Sequence, residues 1–171
     1  MSATYSHMPT PPNEIRAGSI LACLTHSLAY RYRWASEALT DDLLEFRPCA
    51  DAMDLRALLE HMRDLAWWLR LTLVGDKPQK LEGGAAVLRE QTLEWLGETA
   101  ARFELLSEAD LAELSIHSHG REPKPVWNVI HGPLADFLTH VGQLASWRRM
   151  AGCPAPGAQV FLGLPPERGQ D

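Results

Sequence analysis

The sequence predicts an all-α fold, a four-helix bundle with a long irregular link before its last helix. Apolar residues recur every three or four positions in four separate blocks, which is the period of amphipathic helices. No segment shows the alternation of polar and apolar residues that a half-buried strand requires. A chain of 171 residues with 46% apolar and 22% charged residues has the size and composition of one globular domain. Four amphipathic helices without a sheet pack most simply as a bundle.

The first predicted helix runs roughly from residue 13 to 39, with Asn13 as its candidate N-cap. Its expected inner stripe consists of Ala17, Leu21, Leu24, Leu28 and Ala35. The stretch DDLLEFRPCADAMD then interrupts the pattern, because Pro48 disfavours helical geometry on both sides of itself.

The second predicted helix covers about 54 to 74 and carries a leucine-rich stripe. The stretch GDKPQKLEGG ends it and leads to the third helix, about 85 to 106. Leucine, alanine and phenylalanine face inward on the third helix, whereas Glu90, Glu94 and Glu98 repeat every four residues. Like charges at that spacing repel slightly, so we expect them on a solvent-exposed face.

Residues 107 to 128 form the irregular link, which either acts as a lid or covers one end of the bundle. SEAD at 107–110 can cap one extra helical turn. The last helix is expected from about 129 to 151, with Pro133 in its first turn and Gly152 and Pro154 as the stop signal. We therefore divide the chain into an N-terminal extension (1–12), a bundle domain (13–155) and a tail (156–171). Val160, Phe161 and Leu162 are expected to order part of the tail.

Charge and cysteine content narrow the classes of partner and compartment. The formal net charge of −6 argues against a nucleic-acid partner, which needs a concentrated basic surface. Three cysteines without a CxxC pair suit a reducing cytosol better than a disulfide scaffold. No basic, apolar leader and no long apolar run are evident, so we expect a cytoplasmic protein that does not enter the membrane.

Three polar residues fall on stripes that should pack inward. On the last helix, Asp136 and His140 differ by only about 40° around the axis. On the second helix, His61 lies one turn from Leu58 and from Leu65. Such groups need a hydrogen bond, an ion pair or a metal ion. Two histidines and one carboxylate suit a metal site with open coordination positions, but a structural cluster of hydrogen-bonded His, Asp and His would satisfy the same pattern.

Other histidines are weaker candidates for the site. His131 precedes His140 by nine residues, which places it on the opposite side of a regular helix, at the helix start. His26 is expected to be exposed or interfacial. His117 and His119 belong to the irregular link and can approach the end of the bundle.

Three stretches resemble the DinB/YfiT-like superfamily of metal-binding four-helix bundles. They are FRP (46–48), LLEHMRDLAWWL (58–69) and HVGQLASWRRMAG (140–152), and the resemblance spans about residues 13 to 155. It implies up-down-down-up topology and a metal site built from one histidine of the second helix and two residues four apart on the last helix. His61 and His140 match that pattern, with Gly-Gln after the last ligand. The family usually has histidine where this chain has Asp136, so the metal preference or affinity is expected to differ.

The resemblance also implies a function. It suggests a divalent-metal enzyme that binds zinc first, or nickel, manganese or iron(II), and that uses a low-molecular-weight thiol in a transferase or isomerase reaction, or else acts as a hydrolase. Gln143 would orient a ligand, and Arg148 or Arg149, if not simply exposed, would meet an anionic substrate. The alternative is a non-catalytic binding or stress-response protein in which the His–Asp–His cluster is structural. Both interpretations allow a homodimer, and the first requires a small-molecule substrate.

Overall fold

Six helices and one small sheet make up the part of the chain that the structure describes. The computed structural model describes residues 5–116 and 122–167. The elements in chain order are α1 (Ala17–Ala35), a 3-10 turn (Asp41–Leu43), α2 (Leu55–Val74), α3 (Ala85–Leu105), α4 (Glu108–Glu113), β1 (Ser115–Ile116), β2 (Lys124–Pro125), α5 (Trp127–Val129), a π turn (Ile130–Leu134) and α6 (Ala135–Met150). The four long helices α1, α2, α3 and α6 confirm the predicted all-α bundle, and they share one apolar core.

Contacts between helix ends fix the up-down-down-up order. Arg89, near the start of α3, binds Ser36 just after α1, so these two helices are antiparallel. Arg102, near the end of α3, donates a hydrogen bond to the carbonyl of Leu73 at the end of α2, so α2 and α3 are parallel. Arg148 at the end of α6 binds the carbonyl of Ala35 at the end of α1, which makes α1 and α6 parallel.

A parallel α2–α3 pair requires a connection that returns along the whole length of α2. Residues 75 to 84 make this crossover, and the side chains beneath it hold it down. Arg63 donates to the carbonyl of Leu81 at 2.9 Å, and the Trp67 indole donates to the carbonyl of Pro78 at 2.9 Å. Side chains of α2 thus fix the crossover along its whole course.

Helix α1 begins later than predicted. Its N-cap is Arg16 rather than Asn13, because the Ser19 hydroxyl accepts a hydrogen bond from the Arg16 backbone N–H at 2.8 Å. Ala17 then falls in the first turn and is exposed, whereas Leu21, Leu28 and Ala35 are buried as expected. The N-cap of α2 is Asp54, whose carboxylate accepts from the Ala57 N–H.

The irregular link contains more local structure than its sequence indicated. The SEAD capping turn is confirmed: Ser107 and Asp110 form a reciprocal capping box at the start of α4. The two-residue strands β1 and β2 pair antiparallel after it. His117 and His119 lie outside the described residues.

The tail folds back onto the bundle, but through other residues than predicted. Val160, Phe161 and Leu162 are exposed, Phe161 to 97%. The Gly163 carbonyl instead accepts from the Met8 N–H at 2.9 Å, so that backbone pairing with the N-terminal segment holds the tail. Among the described residues, no helix is both long and apolar enough to cross a membrane.

Candidate metal centre

Helices α2 and α6 bring His61, Asp136 and His140 together. Asp136 Oδ2 lies 3.2 Å from His61 Nε2, and Asp136 Oδ1 lies 3.3 Å from His140 Nε2. One donor atom from each residue falls within 4.8 Å of the other two. The imidazole rings stand nearly perpendicular, with centroids 4.7 Å apart. The three residues therefore form one cluster, in which the carboxylate faces both rings.

The separation of the donor atoms suits a shared cation. Two ligand atoms about 2.05 Å from one ion at a tetrahedral angle are about 3.3 Å apart. Each ring nitrogen lies close to this distance from one oxygen of the carboxylate, His61 Nε2 from Oδ2 and His140 Nε2 from Oδ1. A donor set of two imidazoles and one carboxylate, on one side of an ion, leaves positions for water or substrate. The residues present therefore fit a divalent metal ion.

The Gln143 amide oxygen contacts the His140 ring, and this contact favours one neutral tautomer. With its amide oxygen facing the ring, Gln143 Oε1 accepts a hydrogen bond from His140 Nδ1 at 2.5 Å. The Nδ1 atom then carries the proton, and in the neutral imidazole Nε2 keeps its lone pair. That lone pair faces Asp136 Oδ1, which is also an acceptor. Two acceptors at this distance repel unless a positive charge, either a second ring proton or a metal ion, lies between them.

The cluster is less buried than the sequence indicated. We expected polar groups in the bundle core, but the side chains of His61 and Asp136 are 42% and 46% exposed, and only His140 is well covered at 12%. The reason is that His61 and Asp136 line an open cleft between α2 and the start of α6. Asp136 therefore does not need an ion-pair or metal partner on account of burial, since water can solvate a half-exposed carboxylate.

The cleft beside the cluster has a volume of about 710 Å³. Leu65, Trp67 and Trp68 supply an apolar wall from α2. Lys80 of the crossover lies against this α2 wall, where its ammonium group is 4.8 Å from the centre of the Trp67 ring and 2.7 Å from the Asp64 carboxylate. The cleft thus combines a polar floor, an aromatic wall and one fixed cation.

His131 lines this cleft, contrary to the prediction that it lies on the far side of the helix. The π turn at Ile130–Leu134 and the non-helical backbone of Gly132 (φ −88°, ψ −110°) break the regular rotation of 100° per residue. The His131 ring contacts Asn128, with Nε2 3.3 Å from the amide nitrogen. It belongs to the cleft but not to the three-residue cluster.

Arg148 and Arg149 occupy very different surroundings. Arg148 was expected at the surface, but it is 1% exposed. It donates to the carbonyls of Ala35, Glu37 and Cys153 at 2.7–3.0 Å, so its charge is used to join the ends of α1 and α6. Arg149 is exposed, as expected. Neither arginine lines the cleft.

His26 is partly buried against the N-terminal segment. The Tyr5 hydroxyl lies 2.9 Å from His26 Nδ1 and donates to the neutral ring. Burial lowers the pKa of His26, and nearby Glu104 opposes this effect more weakly. This contact was not predicted from the sequence, because Tyr5 lies in the predicted extension.

Comparison with known proteins supports the fold. No protein-family model matches the sequence, and no curated protein matches it. The crystal structure of the DinB-like protein YjoA from Bacillus subtilis matches with a TM-score of 0.63 and 17% identity. The match covers 81% of this chain and 96% of that one. The protein therefore has a DinB-like fold, with a group of two histidines and one aspartate that can hold a metal ion.

Proposed function

We propose that the protein is a divalent-metal-dependent enzyme acting on a small molecule bound in the cleft. The observation that carries this proposal is the cluster of His61, Asp136 and His140, whose donor atoms lie within 4.8 Å of one another. When His140 carries its proton on Nδ1, the approach of Nε2 to Asp136 Oδ1 is unfavourable, and a cation between the two atoms would relieve the repulsion. Its partial exposure leaves room for a further ligand from the cleft.

Each residue of the centre has a distinct part. His61, Asp136 and His140 would hold the ion, and Gln143 would keep His140 Nε2 available by accepting the Nδ1 proton. Zinc is the first choice for this donor set, followed by nickel, manganese and iron(II). A divalent ion, when bound, lowers the pKa of a coordinated water or thiol and so supplies a nucleophile at neutral pH.

The walls of the cleft favour a substrate with an apolar portion. Trp67 and Trp68 offer ring faces and edges to it, while Lys80 holds a positive charge at the rim. We include a low-molecular-weight thiol as the co-substrate of a transferase or isomerase reaction, with hydrolysis as the variant in which water is the nucleophile. Support for the thiol comes from the resemblance of the sequence motifs.

Metal content tests the proposal directly. Protein purified without a histidine tag is stripped with a chelator, and zinc and nickel uptake is measured by equilibrium dialysis with elemental analysis. We expect close to one ion per chain for the wild type and almost none for His140→Ala. His131→Ala provides a matched control, because it removes a histidine of the same cleft that is outside the cluster; its uptake should equal that of wild type.

Failure to take up any ion at micromolar free zinc or nickel would overturn the proposal. It would favour the second candidate, a non-catalytic binding protein. In that case a second proton on His140, rather than a metal ion, would join the ring to Asp136, and the cluster would be structural. Nitrogen-15 NMR distinguishes the two, because only an added proton leaves both His140 ring nitrogens protonated.

A homodimer is part of both candidates. We propose it as the working assembly, and light scattering coupled to gel filtration tests it. A single species at the monomer mass of 19.1 kDa over a range of protein concentrations would contradict it.

A further inference from the structure

We propose that a second pocket, between α1 and α6, binds a small organic anion with a short apolar body. This α1–α6 pocket lies between the C-terminal end of α1 and most of the length of α6, and residues 155–158 and Val160 of the tail cover one side of it. Its volume is about 390 Å³. That size is within the range of small-molecule pockets, roughly 300–1,000 Å³.

Two arginines supply positive charge to this pocket. Arg31 reaches it from α1 and Arg149 from α6. Within the described ranges 5–116 and 122–167, neither guanidinium has a carboxylate within ion-pair distance, and the lining contains no acidic residue. In a chain of net charge −6, two unneutralised guanidinium groups at one pocket are notable. Arginine pairs are well suited to carboxylate or phosphate groups, which accept several hydrogen bonds at once.

The buried N–H group of the partly buried Trp34 provides the second, independent observation. Trp34 also lines the pocket, and its Nε1 atom is buried without a hydrogen-bond acceptor among the described residues. Buried N–H groups in folded proteins nearly always have a partner, and an orphaned one indicates a bound water or ligand. An anion seated between the arginines would supply this acceptor once the Trp34 side chain turns its buried N–H toward the pocket.

The rest of the pocket is apolar and held in place. Its floor consists of Ala35 from α1 and of Leu138, Val141 and Ala145 from α6. The buried Arg148 ties the end of α1 to the end of α6 and to Cys153, where the covering segment starts. The pocket is therefore formed before any ligand binds, and its chemistry selects a charged head joined to a few carbon atoms.

This pocket is distinct from the metal centre. The residues of α6 that line it are not those that face α2, namely Asp136, His140 and Gln143. The inference therefore does not rest on the proposed function. Binding here is expected to persist in the His140→Ala protein, so that the two proposals can fail separately.

Titration with hexanoate tests the inference on the full-length chain. The readouts are calorimetry and the indole resonance of Trp34 in nitrogen-15 NMR, assigned with Trp34→Phe. We expect saturable binding of hexanoate with a downfield shift of the Trp34 N–H as it gains an acceptor. Hexan-1-ol, which has the same carbon chain without the charge, should bind at least about tenfold more weakly, and inorganic phosphate, which lacks the chain, should also bind more weakly.

Arg31→Gln and Arg149→Gln should each weaken hexanoate binding by roughly fivefold or more, since each removes a charge-assisted hydrogen bond. Arg56→Gln is the matched control, because Arg56 is an exposed arginine that does not line the pocket, and it should bind like wild type. Circular dichroism verifies that each variant is folded. Unchanged affinity in the Arg31→Gln/Arg149→Gln double variant, or a Trp34 resonance that hexanoate does not move, would overturn the inference.

Discussion

Two polar sites lie on the same helix, α6, and their surroundings are opposite. Arg148, near its end, is 1% exposed, and carbonyls of Ala35, Glu37 and Cys153 accept its hydrogen bonds. Asp136, near its start, opens onto a cleft together with His61, and His140 lies beside them with its side chain largely covered. The first site has donors and acceptors matched within the fold, whereas the second sets one carboxylate between two imidazole rings beside an open cleft.

The two sites differ in the part that their polar groups play. Arg148 stabilises the fold, whereas Asp136 is exposed enough to bind a ligand. A buried guanidinium with matched carbonyls loses a great deal of free energy if it is removed, because the carbonyls then stay buried without donors. A half-exposed carboxylate loses little, because water replaces its partners. Stability and ligand binding should therefore respond in opposite ways to substitutions at the two sites.

The largest effect is expected for Arg148→Ala. The substitution leaves three carbonyls without their donor and opens a space between the ends of α1 and α6, so the free energy of unfolding should fall by about 3–5 kcal/mol. Urea denaturation followed by circular dichroism measures it. Arg149→Ala, one residue away and exposed, should change the same quantity by less than about 0.5 kcal/mol. Equal losses for the two arginines would contradict the comparison.

Metal binding should raise the free energy of unfolding only through the cluster of His61, Asp136 and His140. An ion that binds the folded chain alone raises the free energy of unfolding by about 2.7 kcal/mol when its free concentration is 100 times its Kd. Thermal unfolding of the wild type with and without zinc measures this gain. His140→Ala should lose it and His131→Ala should keep it. A similar gain in the His140→Ala protein would place the ion elsewhere.

A third polar pair, Tyr5 and His26, should show intermediate sensitivity and a dependence on pH. Tyr5→Phe removes one partly buried hydrogen bond and should cost about 1 kcal/mol. Because the folded-state pKa of His26 lies below its ordinary value of 6.5, the unfolded chain binds the proton more readily. The stability contribution of neutral His26 is therefore present above pH 6.5 and is lost as the pH falls through the folded-state pKa.

Burial also raises the pKa of Tyr5 to about 12. Its contribution is fully present below pH 10 and is lost as the pH rises from 10 toward 12. Denaturant midpoints measured across pH should therefore fall at both ends for the wild type. The alkaline loss should be smaller in Tyr5→Phe; an identical alkaline profile in the two proteins would refute the assignment to Tyr5.

The smallest effect on stability is expected for Asp136→Asn in metal-free protein. The carboxylate is 46% exposed, so the free energy of unfolding should change by no more than about 0.5 kcal/mol. Metal uptake should nevertheless fall sharply, since an amide is a poorer ligand than a carboxylate. A large loss of stability without metal would instead show that the cluster is structural.

The sequence predicted the four long helices because their apolar residues repeat with the helical period, and it identified His61, Asp136 and His140 by their place on those stripes. Helix α2 begins and ends within a residue of its prediction because Asp54 and Gly75 provide strong local end signals. The contact between His61 and α6 was predictable from stripe position and resemblance together. The exposure of the cluster was not, because helix spacing at a cleft depends on the whole packing.

The predictions for His131 and Arg148 were wrong for other reasons: at the first the backbone departs from the regular helical rotation per residue, and at the second segments far apart in the sequence meet. His131 faces the cleft because the π turn before α6 alters the angular count. Arg148 is buried because carbonyls more than a hundred residues away along the chain accept its hydrogen bonds. A local sequence pattern carries neither piece of information, so a charged residue near a helix end was naturally expected at the surface.

The crossover between α2 and α3 also limits how the cleft can move. It must return along a helix of 20 residues, about 30 Å long, yet only ten residues lie between Val74 and Ala85. Ten residues span at most about 33–36 Å when fully extended, so the crossover has almost no slack. The crossover segment that carries Lys80 is therefore nearly extended and has little freedom to move. Any closure over a bound substrate is expected to come from the residues that line the cleft on the α6 side.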